Sequence, residues 1–393
     1  MRRIDRKMKP FLYHQPTEIR FGRGRLSETG AAVARLGSRC LLVTVRDVPE
    51  FGGLFGKIKA LLDEAKIPIA HFDGVIPNPT TDVVTAGARI AQEFKADVVL
   101  GVGGGSSMDT AKAVAVEATH PGTAWDYLFF RERQPTEKTL PVITVTTTSG
   151  TGSHVTQVAV VTNPGEKNKS ALFHPFLYPR TSIVDPELMR SVPNRLTAVT
   201  GFDVFAHAFE SYINPNGSPY TDLMALEAIR IVAGYLPRAI KDGSDIEARE
   251  WMAWADTLAG LCIANSGVTL PHGIGMAIGG LYPHVAHGEA LAAVYPAILR
   301  YSYRAASAKF TVVGRILDKK IAAERGLKAA EQSCVAIERF IKRIGLGLTL
   351  RELRVPEQEL AALALQSLVL PDFKSHPKVA TLDDVLRILS ESH

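Results

Sequence analysis

The chain has 393 residues, 46% of them hydrophobic and 22% charged, with a formal net charge of +5 at pH 7. That length exceeds one ordinary core and points to two domains of a soluble globular protein, with no apolar run long enough to span a bilayer. The positive charge is spread out in short clusters such as Arg2-Arg3 and Lys319-Lys320, which argues against a nucleic-acid surface. Three cysteines, Cys40, Cys262 and Cys334, stand far apart with no CxxC pair, as small buried hydrophobes of a reducing compartment do. The start, MRRIDRKMKP, is charged with no apolar stretch behind it, so it is not a secretory signal. Residues 1–9 are expected to be a short mobile extension, and the expected location is cytoplasmic.

From residue 27 to 184, apolar β-type runs alternate with helical patterns, the signature of βαβ units and a parallel sheet. Strands are expected at 40–45, 67–72, 97–101 and 141–145, with helices at 53–65, 81–94 and after Gly105. Shorter β runs follow at 157–162 and 181–184. Beyond Asp185-Pro186 the pattern turns helical: 195–213, 219–241, 246–266, 289–304, 307–317, 327–345, 356–369 and 381–391. The division predicted is an α/β half over 1–185 and an all-α half over 186–393, packed together and sharing a cleft.

Two loops at strand ends carry chemistry. The strand at 97–101 runs into Gly103-Gly104-Gly105-Ser106 and then a helix, so the backbone can approach an anion that the free N–H groups face. It is neither a GxGxxG fingerprint nor a P-loop. Asp109, in the first helical turns, has capping as its ordinary role, and is counted with the cofactor-binding residues. The second loop, Thr146-Thr147-Thr148-Ser149-Gly150-Thr151-Gly152-Ser153, adds hydroxyls and N–H groups beyond the carboxyl end of a neighbouring strand, where ligands of parallel sheets bind. A dinucleotide half usually has an acid at the end of its second strand. Here that strand ends Val45-Arg46-Asp47. With Val45 at the key position Arg46 is free to meet a 2′-phosphate, and with Asp47 there NAD is favoured; the reading leans slightly to NADP.

Eleven histidines in 393 residues give fewer than one per sixteen, yet residues 272 to 287 hold three: His272, His284 and His287. Upstream, Asp203 and His207 are four apart, on one face of a helix. One carboxylate with imidazoles suits a divalent transition metal such as iron or zinc. The expected ligands are Asp203, His207, His272 and His287, with His284 as the rival for the last place.

Taken together these motifs resemble the iron-containing (group III) alcohol dehydrogenases. The resemblance runs from about residue 11 to the last helices, through Ile19-Arg-Phe-Gly22, Pro77-Asn-Pro-Thr80, GGGSSMDTAK at 103–112, TTSGTGS at 147–153, Asp185-Pro186 and Leu196-Thr-Ala-Val-Thr-Gly-Phe-Asp203 with His207. It implies a Rossmann-like domain followed by a helical one, with NAD(P) and a divalent metal, Fe2+ or Zn2+, between them. It further implies that the pyrophosphate lies on Gly104, Gly105 and Ser106, that Thr147, Thr148 and Thr151 line the nicotinamide side, and that Lys169 approaches a ribose. His287 fits the last ligand position only with one residue inserted. Many members have a second histidine four residues after the third ligand, thought to relay a proton. Here Met276 stands there, and His154 stands where glutamate is common, so His284 and His154 become the relay candidates.

The expected reaction is hydride transfer between an alcohol, made acidic by the metal, and nicotinamide, or its reverse with an aldehyde or ketone. One rival is a sugar-phosphate cyclase of the dehydroquinate-synthase type, which needs many Lys and Arg near its metal; residues 195–290 are poor in them. The other is a non-catalytic metal- or nucleotide-binding protein. The family also suggests a homo-oligomer, a dimer or larger.

Overall fold

The computed structural model describes residues 9–393 except Gly52. All but the last residue of the extension expected over 1–9 lies outside the described residues. In chain order the first half contains β1 (Glu18–Phe21), α1 (Thr29–Ala34), β2 (Cys40–Val45), α2 (Leu54–Glu64), β3 (Ile69–Val75), α3 (Thr81–Phe94), β4 (Val98–Gly103), α4 (Gly105–Glu117), β5 (Val142–Thr146), β6 (Val158–Asn163), β7 (Asn168–Phe173) and β8 (Thr181–Val184). Six of these strands make one parallel sheet in the order β1-β8-β5-β4-β2-β3. Its central strands, such as CLLVTV and VITVT, are continuous apolar runs because both faces are covered. Ala32, Val33, Leu54 and Ile58 of α1 and α2 pack on one face. Val84, Ala88, Val114 and their neighbours on α3 and α4 pack on the other.

The chain runs outward from β2 to β3, then returns to place β4 and β5 on the other side of β2. A ligand is expected at such a reversal, beyond the carboxyl ends of the strands. Both Gly103–Ser106 and the loop at 146–153 leave the sheet there. The antiparallel hairpin β6–β7 lies apart from the sheet, and Thr162 N–H donates to the Pro79 carbonyl at 2.8 Å.

After β8 every longer element is helical: α5 (Asn194–Ile213), α6 (Pro219–Lys241), α7 (Ile246–Ser266), α8 (Leu270–Leu281), α9 (His287–Ser302), α10 (Ser307–Leu317), α11 (Gly326–Arg343), α12 (Leu360–Ser367) and α13 (Leu382–Ser392). α5 is the axis of this half. It is buried from Thr197 to Ile213 except at Thr200, and Phe202, Phe205 and Phe209 stack along it at 5.9 and 5.8 Å between ring centres. A helix apolar on all sides belongs in a core, so each polar residue inside it must find a partner. Asp203, His207 and Glu210 are three such residues.

Residues 270–281 correct the sequence reading, which left them between helices. They form α8, turned by 101° from α7 across Gly267–Thr269. Four glycines hid it, since each costs a helix about 1 kcal/mol against alanine. Close packing requires some of them: a Cβ on Gly275 would stand 3.0 Å from Leu291, and one on Gly280 would stand 3.0 Å from the Lys169 backbone. Among the described residues no single helix is long and apolar enough to cross a membrane.

Candidate metal centre and cofactor cleft

Three helices bring four side chains to one point. Asp203 and His207 project from the same face of α5, His272 sits in the first turn of α8, and His287 is the first residue of α9. Asp203 Oδ1 lies 3.6 Å from His207 Nε2, 3.5 Å from His272 Nε2 and 4.0 Å from His287 Nε2. Donor atoms of Asp203, His207 and His272 all fall within 4.8 Å of one another, and His287 is the outer member, its side chain 23% exposed. A first-row metal about 2.1 Å from each donor would hold tetrahedral ligands about 3.4 Å apart. Asp203 Oδ1 and His272 Nε2 are also buried without any hydrogen-bond partner. Orphaned polar atoms facing each other at this spacing fit a cation between them.

The far nitrogens of two of the imidazoles, His207 and His272, are fixed by the protein, whereas His287 Nδ1 has no hydrogen-bond partner. His207 Nδ1 is 3.1 Å from the Gly150 carbonyl, and because a carbonyl only accepts, Nδ1 carries the proton and leaves Nε2 free to ligate. His272 Nδ1 is 2.7 Å from Glu210 Oε1. Glu210, completely buried, also accepts from Thr269 N–H at 2.8 Å, Thr269 Oγ1 at 3.1 Å and Tyr295 OH at 3.2 Å. It was missed in the sequence, although it stands seven residues after Asp203 and three after His207, on their face of the helix. Burial pushes Asp203 up, but the three imidazoles outweigh it and hold the carboxyl well below its usual range. Burial likewise lowers His272, but Glu210 and Asp203 prevail and push it up to about 10. Two buried carboxylates thus balance a dication, or draw a proton onto His272 in its place.

The two loops beyond the sheet touch each other. Thr147 N–H donates to the Gly103 carbonyl at 3.0 Å. A Cβ on Gly104 would stand 3.1 Å from Thr148 Oγ1, and one on Gly105 would stand 2.6 Å from Thr151 Cγ2. The glycines therefore admit the threonine loop as well as leaving room for an anion. Ser106 lies in the first turn of α4, where N–H groups have no partner inside the helix.

Asp109 does not cap the helix. It accepts from Ser153 Oγ at 2.6 Å and Val160 N–H at 3.2 Å. Lys112, fully buried, donates to Ser153 and to the carbonyls of Thr156 and Val158 at 2.7–2.9 Å. Both therefore bind the threonine loop and the hairpin to α4. Lys169, on β7 and only 8% exposed, donates to Asn78 Oδ1 at 2.8 Å, and burial lowers it to about 8 against the pull of Asp109 and Asp203.

The remaining histidines are engaged elsewhere. His284 is exposed, with Nε2 3.1 Å from the Leu353 carbonyl, so His287 and not His284 faces Asp203. His154 is wholly buried and faces α7, with Nε2 3.0 Å from Thr257 Oγ1 and Nδ1 3.7 Å from Asp256 Oδ2. Met276 is also buried.

Comparisons with known proteins converge. The profile "Iron-containing alcohol dehydrogenase" matches residues 16–186, and "Fe-containing alcohol dehydrogenase family, C-terminal" matches 197–393. The NAD-dependent methanol dehydrogenase of Bacillus methanolicus is 33% identical over 371 residues, 94% of this chain and 97% of that one. The 1,3-propanediol dehydrogenase of Klebsiella pneumoniae is 35% identical over 384 residues, 97% and 98% of the two chains. Among solved structures, an archaeal halo-thermophilic alcohol dehydrogenase from a Red Sea brine pool superposes with a TM-score of 0.94 at 35% identity, over 99% of this chain and 100% of its own. The cyclase and non-catalytic readings receive no support from these relatives.

Proposed function

The chain belongs to the iron-containing alcohol dehydrogenase family, and from that premise we propose that it interconverts a small alcohol and its aldehyde or ketone, with a nicotinamide dinucleotide as hydride partner. In this reading Asp203, His207, His272 and His287 hold a divalent metal, Fe2+ or Zn2+, in the cleft between residues 1–185 and 186–393. The observation that carries it is the set of imidazole nitrogens 3.5–4.0 Å from an Asp203 oxygen that has no other partner. A cation on these donors supplies Lewis acidity to the substrate oxygen, and a dinucleotide supplies the site that takes or gives hydride.

The residues do the rest. Glu210 and the Gly150 carbonyl hold the imidazoles of His272 and His207 in the tautomer and orientation that ligation needs. Gly103, Gly104, Gly105 and Ser106 receive the pyrophosphate on free N–H groups, and Thr147, Thr148 and Thr151 border the nicotinamide. Asp109 shapes this cradle from beneath, and Lys169 reaches a ribose hydroxyl. A cytoplasmic location fits the three free, buried cysteines.

For the cofactor's adenosine end, β2 closes on Val45 with no carboxylate there, and Arg46 and Asp47 follow, both exposed. The reading is that the enzyme accepts NADPH as well as NADH. Absorbance at 340 nm with both cofactors and a panel of alcohols and aldehydes, paired with metal analysis of protein purified without chelator, tests the proposal. Turnover with both, in protein carrying about one metal per chain, is the expected result. Turnover confined to NADH would remove the role given to Arg46, and an absence of net cofactor oxidation or reduction would remove the dehydrogenase.

A further inference from the structure

The loop from Thr146 to Ser153 touches both halves of the site. Its Gly150 carbonyl meets His207 Nδ1 at 3.1 Å, and its threonines lie against Gly104 and Gly105. Its other side rests on α7. Gly152, at φ +62°, approaches so closely that a Cβ there would stand 2.6 Å from Gly260 Cα, and its N–H donates to Asp256 Oδ1 at 2.9 Å. Asp256 is 1% exposed, and its second oxygen lies 3.7 Å from Nδ1 of the wholly buried His154.

Hydrogen-bond accounting fixes the protons. Thr257 Oγ1 donates to the Ala253 carbonyl at 2.9 Å, so toward His154 Nε2, at 3.0 Å, it accepts, and Nε2 carries the imidazole proton. Nδ1 then presents a lone pair to Asp256 and has no other partner. An ionised Asp256 would set a second lone pair against it, inside the protein and with no proton between them. A carboxylic acid removes the conflict, because a small turn of either side chain completes an O–H···N bond.

We propose that Asp256 is a positioning residue, held as a neutral carboxylic acid, that bolts the loop at 146–153 to α7 by accepting from Gly152 N–H and donating to His154 Nδ1. The loop so held presents the Gly150 carbonyl to His207 and the threonines to the glycine loop, joining the cofactor cradle to the metal ligands. Burial supports the assignment. It raises Asp256 to about 7 and lowers His154 to about 3, the latter helped by the nearby Lys112 cation. The role given to the loop rests on the metal and dinucleotide reading above; the protonated carboxyl does not.

Asparagine is the uncharged mimic of that acid, accepting with its oxygen and donating with its amide, whereas alanine can do neither. In metal-loaded protein, Asp256→Ala should weaken dinucleotide binding and metal retention roughly 10-fold or more, and Asp256→Asn should restore both to within a few-fold of wild type. Equal damage from both variants would overturn the proposal. Because the alanine variant puts folding at risk, a second measurement stands alone: the infrared difference spectrum of wild type minus Asp256→Asn at about pH 5.5, where an ordinary aspartate is still ionised. The carbonyl stretch of a protonated carboxyl group is expected, and a carboxylate band instead would overturn the assignment. A wild-type protein that shows the protonated band but turns over no nicotinamide would support the bond and overturn only the function on which its role rests.

Discussion

Glu210 shows how much of the proposed metal centre lies behind its ligands. Its two oxygens receive four donors, from Thr269, His272 and Tyr295, and none is spare. Glu210→Gln would keep the volume but turn one oxygen into an amide N–H₂, which cannot accept from Thr269. A buried donor left unpaired costs about 1–3 kcal/mol, and His272 would lose its charged partner as well. Metal affinity measured by competition with a chelator should therefore fall roughly 10- to 100-fold. Affinity equal to wild type would mean that His272 needs no support from α5. The four side chains that meet around Asp203 were legible in the sequence because an Asp-x-x-x-His pair and a dense run of histidines stand out against eleven histidines in the whole chain. Glu210 was not, because a single glutamate in a helix has no signature until its neighbours are known. Asp256 was hidden for the same reason, since its partner Gly152 lies far away in sequence.

At the scale of elements, the starts of α8 and α9 decide where two of the imidazoles stand. Gly288 follows His287, and a Cβ on it would lie 2.2 Å from the Val199 carbonyl oxygen. That atom is backbone in the second turn of α5 and cannot move aside. Gly288→Ala should lift the start of α9 from α5 and carry His287 away from Asp203, at a cost of about 1–3 kcal/mol. Thermal melts with and without added metal would measure it. The variant should melt lower and gain less from metal than wild type, and an unchanged metal-induced shift would contradict the packing account. Five of the six sheet strands, β2, β3, β4, β5 and β8, were read from sequence to within a few residues because burial makes them largely continuous apolar runs; β1, a partly exposed edge strand reading Glu-Ile-Arg-Phe, was not. β7 was not, as its Asn-Lys-Ser start lacks that run, and α8 was not, as its glycines serve packing and mimic a loop.

For the molecule as a whole, the parallel sheet and the helical half contribute different things to one cleft. Strand ends supply the glycine and threonine loops, and α5, α8 and α9 supply the side chains proposed to hold the metal. The order of the motifs along the chain was enough to reach the family, whose profiles cover residues 16–186 and 197–393. What remained hidden was the joinery between the halves, namely Gly150 on His207, Gly152 on Gly260 and Asp256 on the loop, because contacts across such sequence distances leave no local pattern. The four side chains around Asp203 are proposed to form a metal centre on which turnover depends, while the loops at the strand ends bind the dinucleotide whether or not metal is present. His272→Ala tests it most directly, with metal content, dinucleotide binding and 340 nm turnover measured on one preparation. Loss of metal and of turnover with dinucleotide binding retained is the result expected. Near-normal turnover with the metal still bound would contradict it.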